Sequence, residues 1–417
     1  AEPAVEAQPA PAEGVTVTFW WTWGQLDAAM ERIVALDEFK DWTGNNRLEY
    51  KGSVAAEAFL TATAAGTPPD MGAGLSYWDF WFRGALWPVD DWVNASQSIK
   101  KDDFIHKVWE NYIYKNQLIG VPGLEAYIGA GLNYNEKLVT EAGLDPDEPP
   151  VTWAECFEWH KALTEFDSAG NLLQMGLDPY DAAAGAPEFA PSSWGFTWWN
   201  EEEGTFHFDD PRWAESLDVM GEFVRYVGPD QLDGLRAVPG QGTWGGAFNA
   251  EVQAMILEGY WHPGETAIQK PEVSQYNRVT WIPVPDNRRG AKVLTARGHC
   301  MVLLKEGEHP YEAFRVAEYM LSDTALDILF EEVGWMVAKR SWLETVDSTA
   351  FPGLEWYIKA PNEATEWVSD GRCPLTSFLW THYAELREKV YRDVMSASDA
   401  AKEMQRRVEA EWETLDL

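Results

Sequence analysis

The chain has 417 residues, 46% of them apolar or aromatic, and a formal net charge of −36. That length buries a substantial core and favours two domains over one. A field of this sign repels phosphate backbones and anionic lipid surfaces, which excludes nucleic acid as a partner. There is also no apolar run of about 18 or more residues to span a bilayer.

Residues 1–14 (AEPAVEAQPAPAEG) carry no apolar period and predict a disordered tether. We read this segment as the link between a removed or lipidated N-terminus and the folded body. Order begins at Val15, where VTVTFW alternates as a strand does. Leu26, Met30, Ile33 and Val34 then recur at helical spacing. Residues 47–51 predict a second strand, 54–65 an Ala-rich helix ending at Gly66, and 67–70 a turn into a short third strand. This β-α-β-α-β order calls for a parallel sheet with helices on its faces.

Residues 119–135 (IGVPGLEAYIGAGLNYN) are extended and Gly-rich, the pattern of a crossing strand. Thr152 and Glu155 form a capping box at a helix start. Asp210-Pro211 opens another helix, whose face carries Trp213, Leu217, Met220, Val224 and Val227. Residues 279–284 (VTWIPV) are again extended and predict a second crossing. Residues 300–304 predict a strand, Pro310 a helix start, and 383–417 a charged helical region. Chain that leaves one lobe, builds another and returns gives two discontinuous domains, and ligand clefts favour such boundaries.

Cys156, Cys300 and Cys373 form no CxxC pair and indicate no disulfide framework. Seven scattered histidines form no HExxH motif or Cys/His cluster, so no metal is expected. No motif points to a cofactor. DSAGN (167–171) lacks the acidic spacing of an EF-hand loop and reads as a solvated turn. The Gly-rich stretch 240–246 has no Lys after it, which argues against a phosphate loop.

Several segments taken together resemble the extracellular solute-binding proteins of carbohydrate ABC importers, the family 1, maltose-binding-protein-like group. They are FWWTWG (19–24), AGTPPD (65–70), GVP (120–122) with LNYNEKL (132–138), and EAGL (141–144) with PPVTWAE (149–155). AFN (247–249) with AMILEGYW (254–261), and AFRVAEYMLS (313–322) with GWMVA (334–338), complete the order. The match spans roughly residues 15–345 and rests on the joint order of the segments, since none is specific alone. Ala250 and Glu251 depart from the family's usual Gly. The resemblance implies an α/β chain with a type II periplasmic-binding-protein fold, two discontinuous lobes joined by a three-segment hinge. The expected division is 15–122 with 286–332 as the N-terminal lobe, and 123–285 with 333–417 as the C-terminal lobe. It also implies high-affinity, non-catalytic binding of a sugar by a monomer outside the cytoplasm. That places the chain in the periplasm or at the cell surface, lipid-anchored through an N-terminal Cys this chain lacks. Closure on the ligand and delivery to ABC permease subunits follow from the same resemblance.

Sugar rings offer an apolar C–H face and a fringe of hydroxyls, which indole faces and fixed polar groups match. The chain has 24 tryptophans, and those in loops past strand ends are the candidates, because ligands sit beyond the carboxyl ends of strands. Trp21, Trp23 and Gln25 follow the first strand; Ser76, Tyr77 and Trp78 follow the third. The loop Trp194, Trp198, Trp199 and Asn200 has no helical or strand period. The resemblance adds Glu125 and Tyr127 on the first crossing, and Trp261 at the family's stacking position with Tyr260 and His262 beside it. It also adds Arg297 and Gly298 before a strand, Trp335 at the return crossing, and Trp380 as a late aromatic. The many loop tryptophans favour an oligosaccharide. The alternatives are a glycoside hydrolase, which needs two carboxyl groups across a scissile bond, or the same fold binding a glycerol-phosphate ester or polyol.

Overall fold

The computed structural model describes residues 12, 14–187, 189–241, 245–369 and 371–415. Most of the tether expected over 1–14 lies outside them. The chain forms two compact units, one from Ala1–Tyr127 and Ala296–Val346, the other from Ile128–Thr295 and Asp347–Asp416. Chain passage thus falls at 127/128, 295/296 and 346/347, later in each case than the sequence reading of 122/123, 285/286 and 332/333. Two of the passages fall inside continuous strands, Val121–Gly129 and Val293–Leu303. An apolar run carries no mark of where its neighbours change.

In the first unit, strand Thr16–Trp21 alternates half-buried Thr16, Thr18 and Trp20 with buried Val17, Phe19 and Trp21. It pairs in parallel with Arg47–Lys51 and with Met71–Ala73, Phe19 lying opposite both Tyr50 and Met71. Helices Asp27–Ala35 and Ala56–Ala64 are the crossovers, so the predicted β-α-β-α-β unit is present. Strand Val293–Leu303 joins antiparallel, with Val302 opposite Gly72, and also pairs with Val121–Gly129.

The turn 67–70 is locked by a buried carboxylate. Thr18 donates its N–H and its hydroxyl to Asp70 Oδ2, each at 2.8 Å, and the His309 N–H donates to Asp70 Oδ1 at 2.7 Å. The Asp70 N–H returns a bond to Thr18 Oγ1 at 2.9 Å. A buried anion is tolerated when its lone pairs meet donors in this way.

The second unit holds a five-stranded sheet in the order Asn277–Trp281, Gly131–Asn135, Gln253–Glu258, Leu172–Leu177, Glu165–Phe166. Gly131–Asn135 runs antiparallel to both of its neighbours, and Gln253–Glu258 runs parallel to Leu172–Leu177. Two readings are corrected here. The single crossing strand expected over 119–135 is two strands, broken at Ala130 by a left-handed φ of 70°. The 279–285 segment is no crossing. Asn277–Trp281 is an edge strand of this unit's sheet, and it stops before Pro283, which cannot donate a ladder bond.

Helix Trp153–Leu163 begins at the predicted capping box: Glu155 N–H donates to Thr152 Oγ1, and Thr152 N–H donates to the Glu155 carboxylate. Helix Pro211–Val227 starts under the Asp210 cap and buries the predicted face. The charged C-terminal region is two helices, Thr376–Tyr391 and Ala397–Trp412. Asp393 at φ 55° and the Ser396 cap separate them. Among the described residues, no helix is long and apolar enough to cross a membrane.

Candidate functional site: an aromatic cluster around a neutral histidine

The first unit gathers its candidates where the parallel strands end. Trp21 closes the first strand, and Tyr77 opens helix Tyr77–Phe82 just past Met71–Ala73. Glu125 lies on Val121–Gly129, and His299 on Val293–Leu303. Gly298 lets those two strands touch. At φ 111° it sits in a region that only glycine adopts without strain, and a Cβ there would lie 2.1 Å from the Glu125 carbonyl oxygen.

His299 is the hub. Its ring meets Trp21 edge-on at 5.0 Å and Trp23 at 4.6 Å, and Trp335 in turn meets Trp21 at 5.9 Å. Its Nδ1 lies 2.9 Å from the Tyr77 hydroxyl, which also accepts the Gly74 N–H at 2.7 Å. Its Nε2 lies 3.2 Å from Glu125 Oε2. Burial and then the Arg297 charge push the imidazole down to about 3, so it is neutral at pH 7 despite the nearby carboxylate. Burial likewise holds the Tyr77 phenol and the Cys300 thiol well above their ordinary ranges. This cluster therefore offers aromatic edges and fixed hydrogen-bonding groups, with no thiolate, phenolate or imidazolium at neutral pH.

The second unit has its own polar and aromatic group at the end of Gln253–Glu258. The Trp261 indole N–H donates to the Glu258 carboxyl, and Tyr260 packs edge-on against Trp261 at 5.6 Å. The Tyr357 hydroxyl donates to the Glu258 carbonyl at 3.2 Å and accepts from Asn133 Nδ2 at 2.9 Å. Burial, followed by the charges of Glu265 and Asp181, raises the Glu258 carboxyl well above its usual range. Gly259 has no room for a Cβ, because the Trp261 ring lies 2.2 Å from that position.

The remaining candidates fall elsewhere. In the first unit, Gln25 is exposed, Ser76 is half-buried beside Tyr77, Trp78 packs on Tyr114, and Tyr127 is buried with Arg340 nearby. In the second, the loop expected to present aromatic platforms has its rings largely inside. Trp194 stacks on Trp153 at 5.3 Å, Trp198 stacks on Phe208 at 5.2 Å, and Trp199 lies against Phe206 and Trp412. Asn200 caps a turn, accepting the N–H groups of Glu202 and Glu203. An open groove of about 840 Å³ runs past this loop, lined by Phe196, Trp199, Asn200, His207 and Arg212 among others. His262 is 3% exposed, meets Phe248 edge-on, and is pushed down to about 3 by burial. Trp380 is half-buried on helix Thr376–Tyr391, near Gly185.

Sequence reasoning missed His299 and Glu258. Each had a signal in its position, since His299 directly follows Arg297-Gly298 and Glu258 directly precedes Gly259-Tyr260-Trp261. Among the described residues no group of three His, Cys, Asp or Glu is placed to hold a metal.

A family model described as bacterial extracellular solute-binding protein matches residues 24–326. The chain belongs to this family of extracytoplasmic binding proteins. No curated protein sequence matches it. Among solved structures it is similar to CpMnBP1 with mannobiose bound, with a TM-score of 0.82, 19% identity, and coverage of 94% of this chain and 99% of that one. The sugar-binding protein MalE from Xanthomonas citri gives 0.73 and 20%, covering 95% and 97%. The GacH receptor of Streptomyces glaucescens, studied unliganded and with acarbose, gives 0.75 and 18%, covering 96% and 98%. The α/β two-lobe solute-binding fold follows from these matches.

Proposed function

We propose that the chain binds a neutral sugar, an oligosaccharide, and delivers it unaltered to an ABC import permease, acting as a monomer. The observation that carries this reading is the strand-end cluster of Trp21, Trp23 and Trp335 around His299, Tyr77 and Glu125. Trp21 and Trp335 are buried and Trp23 is half-buried, so it is the Trp23 indole whose face suits the C–H side of a pyranose, while a fixed carboxyl and hydroxyl suit its hydroxyl fringe. Of the six side chains in that cluster only Glu125 carries a carboxyl, whereas glycoside hydrolysis uses two across the scissile bond, which favours binding over hydrolysis. The relatives with bound mannobiose and acarbose support the same ligand class.

One relative was solved in complex with ribitol, so polyols belong in the test. Thermal melts with mannobiose, mannotriose, maltose and acarbose should show stabilisation by at least one sugar. A ligand that binds only the folded state at about 100 times its dissociation constant adds about 2.7 kcal/mol. A shift with ribitol or glycerol phosphate alone would reassign the ligand, and product release from a labelled oligosaccharide would replace the carrier with a hydrolase.

A further inference from the structure

We infer that His299 is a positioning residue of this site, a neutral imidazole with its proton on Nε2 that fixes Glu125 and Tyr77 for the ligand. The inference rests on the sugar-binding reading, which assigns no role to this histidine.

The hydrogen-bond directions leave one arrangement. The Tyr77 oxygen already accepts the backbone N–H groups of Gly74, at 2.7 Å, and of Cys300, so its own proton is directed to His299 Nδ1 at 2.9 Å. With Nδ1 accepting, the single proton of the neutral ring sits on Nε2, which faces Glu125 Oε2 at 3.2 Å. The relay runs from the Gly74 amide through the Tyr77 hydroxyl and the imidazole to the carboxylate, in one direction throughout. Aligned bonds of this kind reinforce one another in a low-dielectric setting.

Packing holds the ring in place. Trp21 and Trp23 meet it edge-on from two sides, at interplanar angles of 86° and 79°. Gly298 seats it by bringing its strand against the Glu125 backbone. The ionisable groups around the ring are Glu125, Arg297, Tyr77 and Cys300, and Arg297 acts against a second ring proton. The same imidazole thus meets the Glu125 carboxyl on one nitrogen and takes the phenol proton on the other, against two indoles that also pack on each other at 5.3 Å. A site fixed before the ligand arrives loses less freedom on binding.

The test has two arms. The first is the side-chain nitrogen spectrum of the 15N-histidine-labelled wild-type chain. It should show His299 as the Nε2–H tautomer, with a pyridine-like Nδ1, both ligand-free and with sugar. A protonated ring or an Nδ1–H tautomer overturns the inference. The second arm is calorimetric titration of the wild type, His299→Leu and His299→Gln with the tightest sugar of the panel above. Glutamine offers an acceptor and a donor in place of the two ring nitrogens, whereas leucine offers neither. His299→Leu should weaken binding about tenfold or more, and His299→Gln should recover most of that loss.

Sugar affinity within about twofold of wild type in folded His299→Leu overturns the role of His299 and leaves the carrier reading standing. A wild-type chain that binds no sugar removes both. If His299→Leu fails to fold, the glutamine variant and the tautomer decide the matter without it.

Discussion

Asp70 is a carboxylate 3% exposed to solvent, and its two oxygens collect three hydrogen bonds from Thr18 and His309. Truncating it strands those donors, each costing about 1–3 kcal/mol when buried and unpaired. Asp70→Ala should therefore lose about 3 kcal/mol or more in urea unfolding, with no direct effect on the His299 cluster. Histidine burial gives a second expectation. His160 is pushed down to about 4 and His262 to about 3, in both cases by burial first. An unfolded histidine titrates near 6.5. Below that pH the unfolded chain takes up a proton that the folded one refuses. The stability these groups contribute is complete above 6.5 and falls as the pH drops towards 4. Each group sets a slope of up to about 1.4 kcal/mol per pH unit. Glu258 works in the opposite sense, because its raised value favours folding at low pH and gives way as the pH rises. His262→Phe keeps the edge contact with Phe248 and removes a ring nitrogen that has no hydrogen-bond partner. Urea midpoints at pH 7 and pH 5 should draw closer together in this variant than in the wild type.

The strand-end placement of Trp21, Trp23 and Tyr77 was legible in the sequence because strand ends are local signals, whereas Glu125 was singled out through the family resemblance. His299 was not, because its role depends on which residue of Val121–Gly129 faces it, and that register is set by Gly298 and by pairing between distant segments. Trp194, Trp198 and Trp199 show the converse. A loop rich in indoles looks the same whether Trp153, Phe208 and Trp412 cover it or a ligand does.

At the scale of elements, helix starts were the best-resolved features. The Thr152 capping box and the Asp210-Pro211 cap are written in four or five adjacent residues. Strand boundaries inside long apolar runs were the worst. Nothing local says that Ala130 breaks 119–135, or that the antiparallel neighbour of Met71–Ala73 lies within Val293–Leu303. Close element contacts also rest on single glycines. Gly176 on Leu172–Leu177 faces helix Trp153–Leu163, and a Cβ there would meet the His160 backbone at 2.4 Å. The His160 Nδ1 accepts the Leu177 N–H at 3.0 Å across the same contact. Gly176→Ala must push helix and strand apart. It should destabilise the chain by about 1–3 kcal/mol, as overpacking does, measurable as a lowered urea midpoint.

At the scale of the whole molecule, the ordered set of motifs was a sound guide to family. The ligand is a different matter. The neighbours bind several sugars and a polyol on one fold at 14–21% identity, so fold alone does not choose among them. That choice lies in which indoles and hydroxyls stand clear of the core, a property of packing.

The pairing of Gly72 with Val302 has a consequence for the order in which the protein is made. Met71–Ala73, already paired with Thr16–Trp21, lacks its second neighbour until the ribosome has added more than half of the remaining chain. Contacts so distant in sequence form slowly. A nascent chain halted near residue 290 should still be cleaved readily by protease within its first 127 residues, while one halted past 350 should resist.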